Sequence, residues 1–186
     1  MKLNFNKKSK GFTLIEILLV VGFISLASIG VYTIYNKVQI GNQANQEGRN
    51  IDTLRAGIKG LYGASSEYST ITNTVVNQAR VTPQSLRSSN PLDVVSITNS
   101  FGGNVTVTPV SLGGGVNNGF RITYPRVTAD VCVKMVTTTG AQFDQVGAGA
   151  FGNIKAFGTS TVLPAAAAIN CNAAGALGID VTFDSL

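Results

Sequence analysis

The feature that most constrains this sequence is an apolar run of 24 residues near its N-terminus. From Phe12 to Tyr35 the only charged residue is Glu16. A helix over this run would be about 36 Å long, at 1.5 Å per residue, and would cross a hydrocarbon core of roughly 30 Å. Because the run is too long for a buried core helix, the sequence predicts a membrane-spanning segment.

The charges around this run predict its orientation. Four lysines precede it, at positions 2, 7, 8 and 10, and only Lys37 follows closely. By the positive-inside rule the N-terminus stays in the cytoplasm and everything after Tyr35 is exported. The same four lysines account for most of the net charge of +5, because residues from 12 onward carry ten Lys+Arg against nine Asp+Glu. We therefore expect no binding of nucleic acid through a basic face.

Histidine is absent and only two cysteines occur, Cys132 and Cys171. This composition excludes histidine-based catalytic triads and the usual zinc sites. We expect no metal, no cofactor and no catalytic residue, so the protein is not predicted to be an enzyme. Two isolated cysteines beyond a membrane segment are typical of one disulfide in an oxidising compartment. The alternative is a pair of unrelated buried thiols.

Glu16 separates the possible explanations of the apolar run. A secretory signal peptide would have a basic region, an apolar region and a small-residue cleavage site, for which residues 25–27, Ser-Leu-Ala, qualify. A simple membrane anchor is a second explanation. Neither accounts for a carboxylate four residues into the run, which costs up to ~3 kcal/mol in a bilayer unless it finds a partner.

The junction at residues 10–16, Lys-Gly-Phe-Thr-Leu-Ile-Glu, resembles the processing motif of type IV prepilins. The resemblance implies that a membrane aspartyl peptidase cuts after Gly11 and that the new amine of Phe12 is methylated. Cleavage there creates an ammonium on an apolar residue, which Glu16 of a neighbouring subunit neutralises. Neither charge is then left unpaired in a low-dielectric environment.

The helical pattern continues beyond the apolar run. Apolar residues recur mostly three, four and seven positions apart, and polar residues fill the other face. The apolar set is Val38, Ile40, Ala44, Ile51, Leu54, Ile58, Leu61 and Tyr62; the polar set is Asn42, Gln43, Gln46, Glu47, Arg49, Asp52, Arg55 and Lys59. One helix of roughly 76 Å is predicted from Phe12 to about Tyr62, with Gly63 as its stop.

Six glycines interrupt this predicted helix, at positions 22, 30, 41, 48, 57 and 60. Each weakens a helix by up to ~1 kcal/mol relative to alanine. Two explanations stay open. The glycines allow close contact between helices in lipid, or they let the helix stretch or melt within a filament.

The remaining chain predicts an irregular polar connection over residues 64–92 with at most a short helix, followed by mixed elements. Strands are predicted at Val94–Thr98, Asn104–Leu112, Phe120–Tyr124, Ile154–Phe157 and from Ile179 to Asp184, where Ile179, Val181 and Phe183 face the core. The glycine-rich residues 113–119 form a hairpin turn. Residues 128–130 cap a short helix carrying Cys132, although a strand is possible there, and residues 161–169 form another helix.

Glycines at 147, 149 and 152 match the dinucleotide-binding fingerprint literally. The segment after them is strand-like, and no acidic residue lies near position 172 to bind a ribose. We therefore assign these glycines to a surface loop.

The exported part resembles the type IVb branch of the pilins, in particular the bundle-forming and toxin-coregulated pilins. The shared residues are 60–62, Gly-Leu-Tyr, and 99–104, Asn-Ser-Phe-Gly-Gly-Asn, together with a final strand beyond the second cysteine. Two features depart from that branch: Phe12 is the residue usual in the IVa branch, and a leader of 11 residues is short.

The predicted fold is therefore α+β, a long N-terminal helix packed on an antiparallel sheet, with a C-terminal region closed by Cys132–Cys171. Four segments are expected: a leader at 1–11, a transmembrane and filament-core half-helix at 12–35, an amphipathic half-helix at 36–63, and a globular domain at 64–186. The domain is periplasmic before assembly and extracellular afterwards.

The resemblance implies the major structural subunit of a type IV pilus, used for adhesion, aggregation or conjugation. Its expected partners are further copies of itself, the prepilin peptidase, an inner-membrane assembly platform, an ATPase and a secretin. A minor pilin or secretion pseudopilin is the alternative within the family. A membrane-tethered, adhesin-like binding domain that never polymerises is the alternative outside it.

Overall fold

The computed structural model describes residues 11–186 except 64, 66, 91, 150, 151, 174 and 176. The chain divides into two compact units, an N-terminal unit that ends at Gln39 and a C-terminal unit from Ile40 to Leu186. Its α-helices are α1 (Leu14–Leu61), α2 (Asn73–Gln78), α3 (Ala129–Thr139) and α4 (Pro164–Asn172), with short 3-10 turns at Gln84–Leu86 and Gly140–Gln142. Helix α1 contributes residues to both units.

The long N-terminal helix confirms the prediction of one continuous helix, with its start two residues later than expected. Thr13 sets that start, because its hydroxyl and its carbonyl both accept from the amide of Glu16, at 3.3 and 3.1 Å. These contacts satisfy a donor that the first turn of a helix cannot satisfy internally.

The C-terminal unit contains one five-stranded antiparallel sheet. Its strands are β1 (Thr106–Val110), β2 (Gly119–Val127), β3 (Gln145–Ala148), β4 (Asn153–Lys155) and β5 (Ile179–Ser185), in the spatial order β1-β2-β5-β3-β4. The predicted hairpin is confirmed, because Val110 pairs with Gly119 across the glycine-rich turn. In the centre of the sheet, Phe183 of β5 pairs with Ile122 on one side and Val146 on the other. Together with the helices, this sheet confirms the α+β class.

The predicted strand at Val94–Thr98 is wrong, because side chains satisfy the backbone groups that a strand would pair. The Asp93 carboxylate accepts from the amides of Val95 and Ser96, at 3.1 and 2.9 Å. The Asn77 amide donates to the carbonyls of Val94 and Ser96. Such local side-chain bonds compete with a sheet ladder, and only isolated bridges form at Ile97 and Thr98.

Strand β3 was not predicted, because its glycine was assigned to a surface loop. Gly147 is buried in β3, and a Cβ atom there would lie 2.8 Å from the hydroxyl of Thr182 on β5. Glycine is needed at this position for the two strands to approach. The loop assignment holds for Gly149 and Gly152, whose positive φ angles of 60° and 112° turn the chain towards β4.

The predicted helices that carry the cysteines are both present. Cys132 lies in α3, so the strand alternative is wrong, and the preceding Thr128 occupies the N-cap position without a side-chain hydrogen bond. Helix α4 begins at Pro164, later than predicted, because proline is favoured in the first turn of a helix, where its missing N–H is not needed.

The final strand confirms the predicted burial of its apolar residues and contradicts the predicted exposure of Asp184. Ile179, Val181 and Phe183 are buried in the core as expected. Asp184 was predicted to face solvent but is 1% exposed, because it forms an ion pair of 2.7 Å with Arg121 on β2. A bidentate arginine supplies the partners that a buried carboxylate requires.

Candidate assembly site

The predicted processing junction lies at the start of α1. Gly11 and Phe12 precede the helix, and Phe12 is 78% exposed. Glu16 is exposed and lies in the first helical turn, three residues after the capping Thr13. The four leader lysines fall outside the described residues. Cleavage at Gly11–Phe12 and methylation of Phe12 therefore stay predictions at this point.

Glu16 also has a local role that the sequence reasoning missed. The order Thr13-x-x-Glu16 is that of a capping box, and a carboxylate in the first turn interacts favourably with the helix dipole. This interaction is worth about 0.3–1 kcal/mol. The cost of a carboxylate in a bilayer is up to ~3 kcal/mol. Capping therefore offsets only part of the cost that a bilayer would impose on this carboxylate.

The N-terminal unit presents an apolar surface along α1. Helix α1 contains a stretch that is long and apolar enough to cross a membrane, and none of that stretch is buried. Every large apolar side chain from Phe12 to Val38 is exposed, and the least exposed of them, Val20, is at 48%. An added Cβ at Gly22 or Gly30 would meet no atom within 4 Å. Among the described residues of this unit, 11–39, no side chain covers this apolar surface.

The portion of α1 that belongs to the C-terminal unit has a buried seam. Ala44, Ile51, Leu54 and Ile58 are all fully buried in the core of this unit. These are members of the apolar set that the periodicity predicted. The seam is continuous, because two further helical positions on the same face, residues 47 and 48, are also buried.

The first of these positions is Glu47, which the sequence pattern places on the polar face and which is only 2% exposed. Its Oε1 accepts from the backbone amide of Ser100 at 2.9 Å. Its Oε2 accepts from the side-chain amide of Asn50 at 3.1 Å and from the hydroxyl of Tyr124 on β2 in a short contact. Residue type misled the prediction, since the three-four spacing through Ala44 and Ile51 already places residue 47 in the buried seam.

The hydroxyl of Tyr124 is strongly affected by this arrangement. Burial, followed by the negative charge of Glu47 and the hydrogen bond to it, raises the pKa of Tyr124 well above its ordinary value of 10.0. The phenol therefore stays protonated and donates to the carboxylate. Helix α1 is thus attached to the sheet by a buried polar contact as well as by apolar packing.

Two glycines of α1 serve close packing inside the C-terminal unit. A Cβ at Gly48 would lie 2.6 Å from the Thr139 hydroxyl, and one at Gly57 would lie 2.7 Å from the Cβ of Val81. Gly41 and Gly60 have nothing within 4 Å of such an atom. The explanations based on lipid or on helix melting are therefore unnecessary for Gly48 and Gly57.

The predicted disulfide between Cys132 and Cys171 is present. It joins α3 to α4 with a Cα–Cα distance of 5.7 Å, and both residues are fully buried. The bridge closes a segment that includes β3, β4 and the glycine-containing loop between them. The C-terminal region is thereby covalently attached to α3.

Polar contacts also join α1 to the end of β5. The Arg55 guanidinium lies 5.2 Å from the centre of the Phe143 ring, and its Nε donates to the Ser185 hydroxyl at 3.2 Å. The Asp144 carboxylate accepts from the Ser185 hydroxyl at 3.2 Å.

In the part of the chain that the structure describes, no group of three or more His, Cys, Asp or Glu is placed to hold a metal ion.

Sequence comparison identifies related proteins. Residues 41–184 match the protein family described as PilS N terminal. Two relatives carry the name major structural subunit of bundle-forming pilus, one from Escherichia coli O111:H- and one from Escherichia coli O127:H6 (strain E2348/69 / EPEC). Each is 28% identical over 181 residues, which cover 89% of this chain and 90% of the relative.

Solved structures share the fold. A crystal structure of a type IVb pilin from Salmonella typhi gives a TM-score of 0.57 at 23% identity, covering 75% of this chain and 97% of that one. A crystal structure of TcpA, a type IV pilin from Vibrio cholerae El Tor biotype, gives a TM-score of 0.54 at 15% identity. The match covers 80% of this chain and 99% of that one. At these identities the likeness establishes the long helix and antiparallel sheet of the fold.

Proposed function

Because this chain belongs to the PilS N-terminal family and has the type IVb pilin fold, we propose that it is the major structural subunit of a type IV pilus. The observation that carries the proposal is the exposed apolar surface formed by Phe12 and by α1 as far as Val38, in which Glu16 is the single carboxylate. The relatives that match nine-tenths of their own length are named as subunits of such a filament.

The exposed apolar surface requires two environments in succession. Before assembly the bilayer solvates it, with the N-terminus in the cytoplasm and the C-terminal unit in the periplasm. After assembly the same surface is covered by equivalent helices of neighbouring subunits in an extracellular filament. Lipid is as apolar as a helix bundle, so van der Waals packing and polar contacts drive this exchange. Gly22 and Gly30, which have open space around them, allow helices to approach closely.

Cleavage of the leader creates the charged group that makes the polar contact between subunits. In the precursor the nitrogen of Phe12 is an amide, so Glu16 has no cation nearby in the chain's apolar run. Removal of residues 1–11 converts this nitrogen to an ammonium, which is then methylated. The ammonium of Phe12 in one subunit pairs with Glu16 of the next, so that each subunit docks in a fixed axial register. The pair removes two charges from a medium where either alone is costly.

The machinery follows from this route. A prepilin peptidase removes the leader, an inner-membrane platform with a cytoplasmic ATPase extracts the subunit from the bilayer, and a secretin passes the filament through the outer membrane. The filament serves adhesion, aggregation or conjugation. No catalytic step is assigned to this chain itself.

Intact-mass spectrometry of filaments sheared from cells tests the proposal. We expect this chain to dominate the sheared material, with N-methyl-Phe12 as its first residue and Cys132 and Cys171 oxidised. A strain without the peptidase should retain residues 1–11 and yield no filaments. A mature N-terminus at Ser28 would instead show an ordinary signal peptide, and trace amounts in filaments of another pilin would show a minor subunit.

A further inference from the structure

A polar cleft of about 430 Å³ lies beside α2 in the C-terminal unit, and the proposed assembly makes no use of it. Its lining contains two arginines, one acid, three amides, a hydroxyl and a single apolar side chain. These residues are Asn77, Gln78, Arg80, Arg87, Ser88, Asn90, Asp93 and Val94. The volume is in the range of small-molecule sites and suits one or two sugar rings.

Arg80 occupies a backbone position that favours glycine. Its φ angle is +59°, and it follows the C-cap of α2. The amide of Arg80 donates to the carbonyl of Asn77, and the amide of Val81 donates to that of Val76, at 3.0 and 3.2 Å. These two bonds form a Schellman motif, in which the left-handed residue is usually glycine. An arginine is strained there, and strained residues cluster at functional sites.

Arg87 fixes this arrangement from within the cleft. Its Nε donates to the carbonyl of Thr82 at 2.9 Å, and its Nη2 donates to the carbonyl of Arg80 at 2.8 Å. The second bond holds the strained peptide of Arg80 in place. A guanidinium has five N–H donors, so Arg87 keeps donors for a ligand. The two arginines are thus coupled through the backbone.

The acid in the lining does not neutralise these arginines. The Asp93 carboxylate accepts from the backbone amides of Ser96 and Val95, and these bonds lower the pKa of Asp93. Among the described residues, the one ion pair within 4 Å joins Arg121 to Asp184. The cleft therefore has an excess of positive charge next to amide and hydroxyl groups.

We propose that this cleft binds an acidic saccharide, with Arg80 and Arg87 on the carboxylate of the sugar and the amides of Gln78 and Asn90 on its hydroxyls. Arginine suits a carboxylate because its planar fork donates two parallel hydrogen bonds. The amides and the Ser88 hydroxyl match the alternating donors and acceptors of a sugar. Val94 is the only apolar residue in the lining, so the polar ends of the other side chains determine which ligand is recognised.

The test is a ligand-observed NMR titration of the full-length chain in nonionic detergent with glucuronic acid. We expect saturable binding with a Kd on the order of 1 mM, the affinity that an ordinary efficiency per non-hydrogen atom gives a sugar of this size. Glucose supplies the hydroxyls without the carboxylate, and acetate supplies the carboxylate without the hydroxyls. Each should bind at least about tenfold more weakly than glucuronic acid. Equal affinity for glucose or acetate, or tighter binding of inorganic phosphate, would overturn the assignment.

Arg80→Gly tests the site without endangering the fold, because glycine relieves the strained position. It should weaken glucuronic acid binding by about tenfold or more, through loss of a charge-assisted hydrogen bond, while the melting temperature does not fall. Arg126→Gly is the matched control: Arg126 also has a positive φ, of 62°, but lines a different cleft with Phe101 and Leu177. Unchanged binding in Arg80→Gly, or equal losses in both variants, would refute the proposal.

Discussion

The two portions of α1 differ in where their apolar side chains find partners. From Phe12 to Val38 every large apolar side chain is exposed, whereas Ile51, Leu54 and Ile58 are fully buried in the C-terminal unit. Complete burial of such a side chain stabilises by about 1.5–3 kcal/mol. The second portion obtains this stabilisation within the chain. In the proposed function, the first portion obtains it from lipid and then from other copies of the chain.

Each portion also contains one glutamate that departs from its surroundings. Glu47 is buried and receives hydrogen bonds from Tyr124, Asn50 and Ser100 of its own chain. Glu16 is exposed, and its carboxylate has no hydrogen-bond or ion-pair partner among the residues that the structure describes. Glu47 thus finds its partners within its own subunit, whereas we propose that Glu16 finds its partner in another subunit. The following changes test that difference, beginning with the largest expected effect.

Glu16→Val removes the proposed partner of the Phe12 ammonium. We expect the variant to enter the membrane and to form the Cys132–Cys171 bridge, but to give few or no filaments when cells are sheared and examined by electron microscopy. The peptidase should still cut after Gly11, while methylation is reduced. Glu16→Asp, which is one methylene shorter, should be partly defective. Normal piliation of Glu16→Val would show that the charge pair does not drive assembly.

Replacing Cys132 and Cys171 together with serine should destabilise the C-terminal unit alone. A bridge across a separation of 39 residues contributes roughly 4 kcal/mol in the chain-entropy account. The full-length chain in detergent should therefore melt at a markedly lower temperature than the parent. Lys134→Ser, an exposed change on the same helix, is the control and should leave the transition unchanged. Free thiols in native filaments would contradict the role given to the bridge.

Glu47→Ala should lower the free energy of unfolding by about 2–4 kcal/mol, because it leaves the buried Tyr124 hydroxyl and the Ser100 amide without their acceptor. Glu67→Ala, an exposed glutamate of the same unit, should change it by less than about 0.5 kcal/mol. Denaturant unfolding monitored by circular dichroism measures both. Equal effects of the two changes would mean that Glu47 does not attach α1 to the sheet.

Gly48→Ala and Gly41→Ala should change the stability of the protein in opposite directions, although both place a better helix former in α1. At position 48 the new methyl lies 2.6 Å from the Thr139 hydroxyl, so the cost is about 1–3 kcal/mol of overpacking. At position 41 it meets nothing within 4 Å, so the helix gains up to ~1 kcal/mol. Thermal melts of the two variants should shift in opposite directions. A stabilising Gly48→Ala would show that the close approach of Thr139 is not required.

The sequence predicts much of this molecule because its strongest signals are local. The length of the apolar run, the three-four spacing to Ile58 and the alternation from Ile179 to Phe183 each reflect one element facing one environment. One error is local, because the bonds from Asp93 replace the strand predicted at Val94–Thr98. The others arise where a polar residue or a glycine is used in a long-range contact. Glu47 and Asp184 are buried because Tyr124 and Arg121, distant in sequence, supply their hydrogen bonds. Gly147 is a strand residue because Thr182 packs against it.

The cleft beside α2 could not be predicted from the sequence either, because it also depends on contacts that no sequence pattern shows. Its two arginines are seven positions apart in a segment that was predicted to be irregular, and no spacing rule joins them. They are brought together by the left-handed turn at Arg80 and the hydrogen bond from Arg87 to its carbonyl. The junction at Gly11 and Phe12 is the reverse case, since its motif is contiguous and visible in the sequence alone.

Electron cryomicroscopy of the sheared filaments tests the central claim most directly, namely that the exposed portion of α1 is covered by neighbouring copies. The account predicts a core of helices in which residues 12–38 are surrounded by equivalent helices, with the Phe12 nitrogen within hydrogen-bonding distance of Glu16 in an adjacent subunit. A filament whose subunits contact one another only through their C-terminal units, with residues 12–38 outside the core, would contradict it.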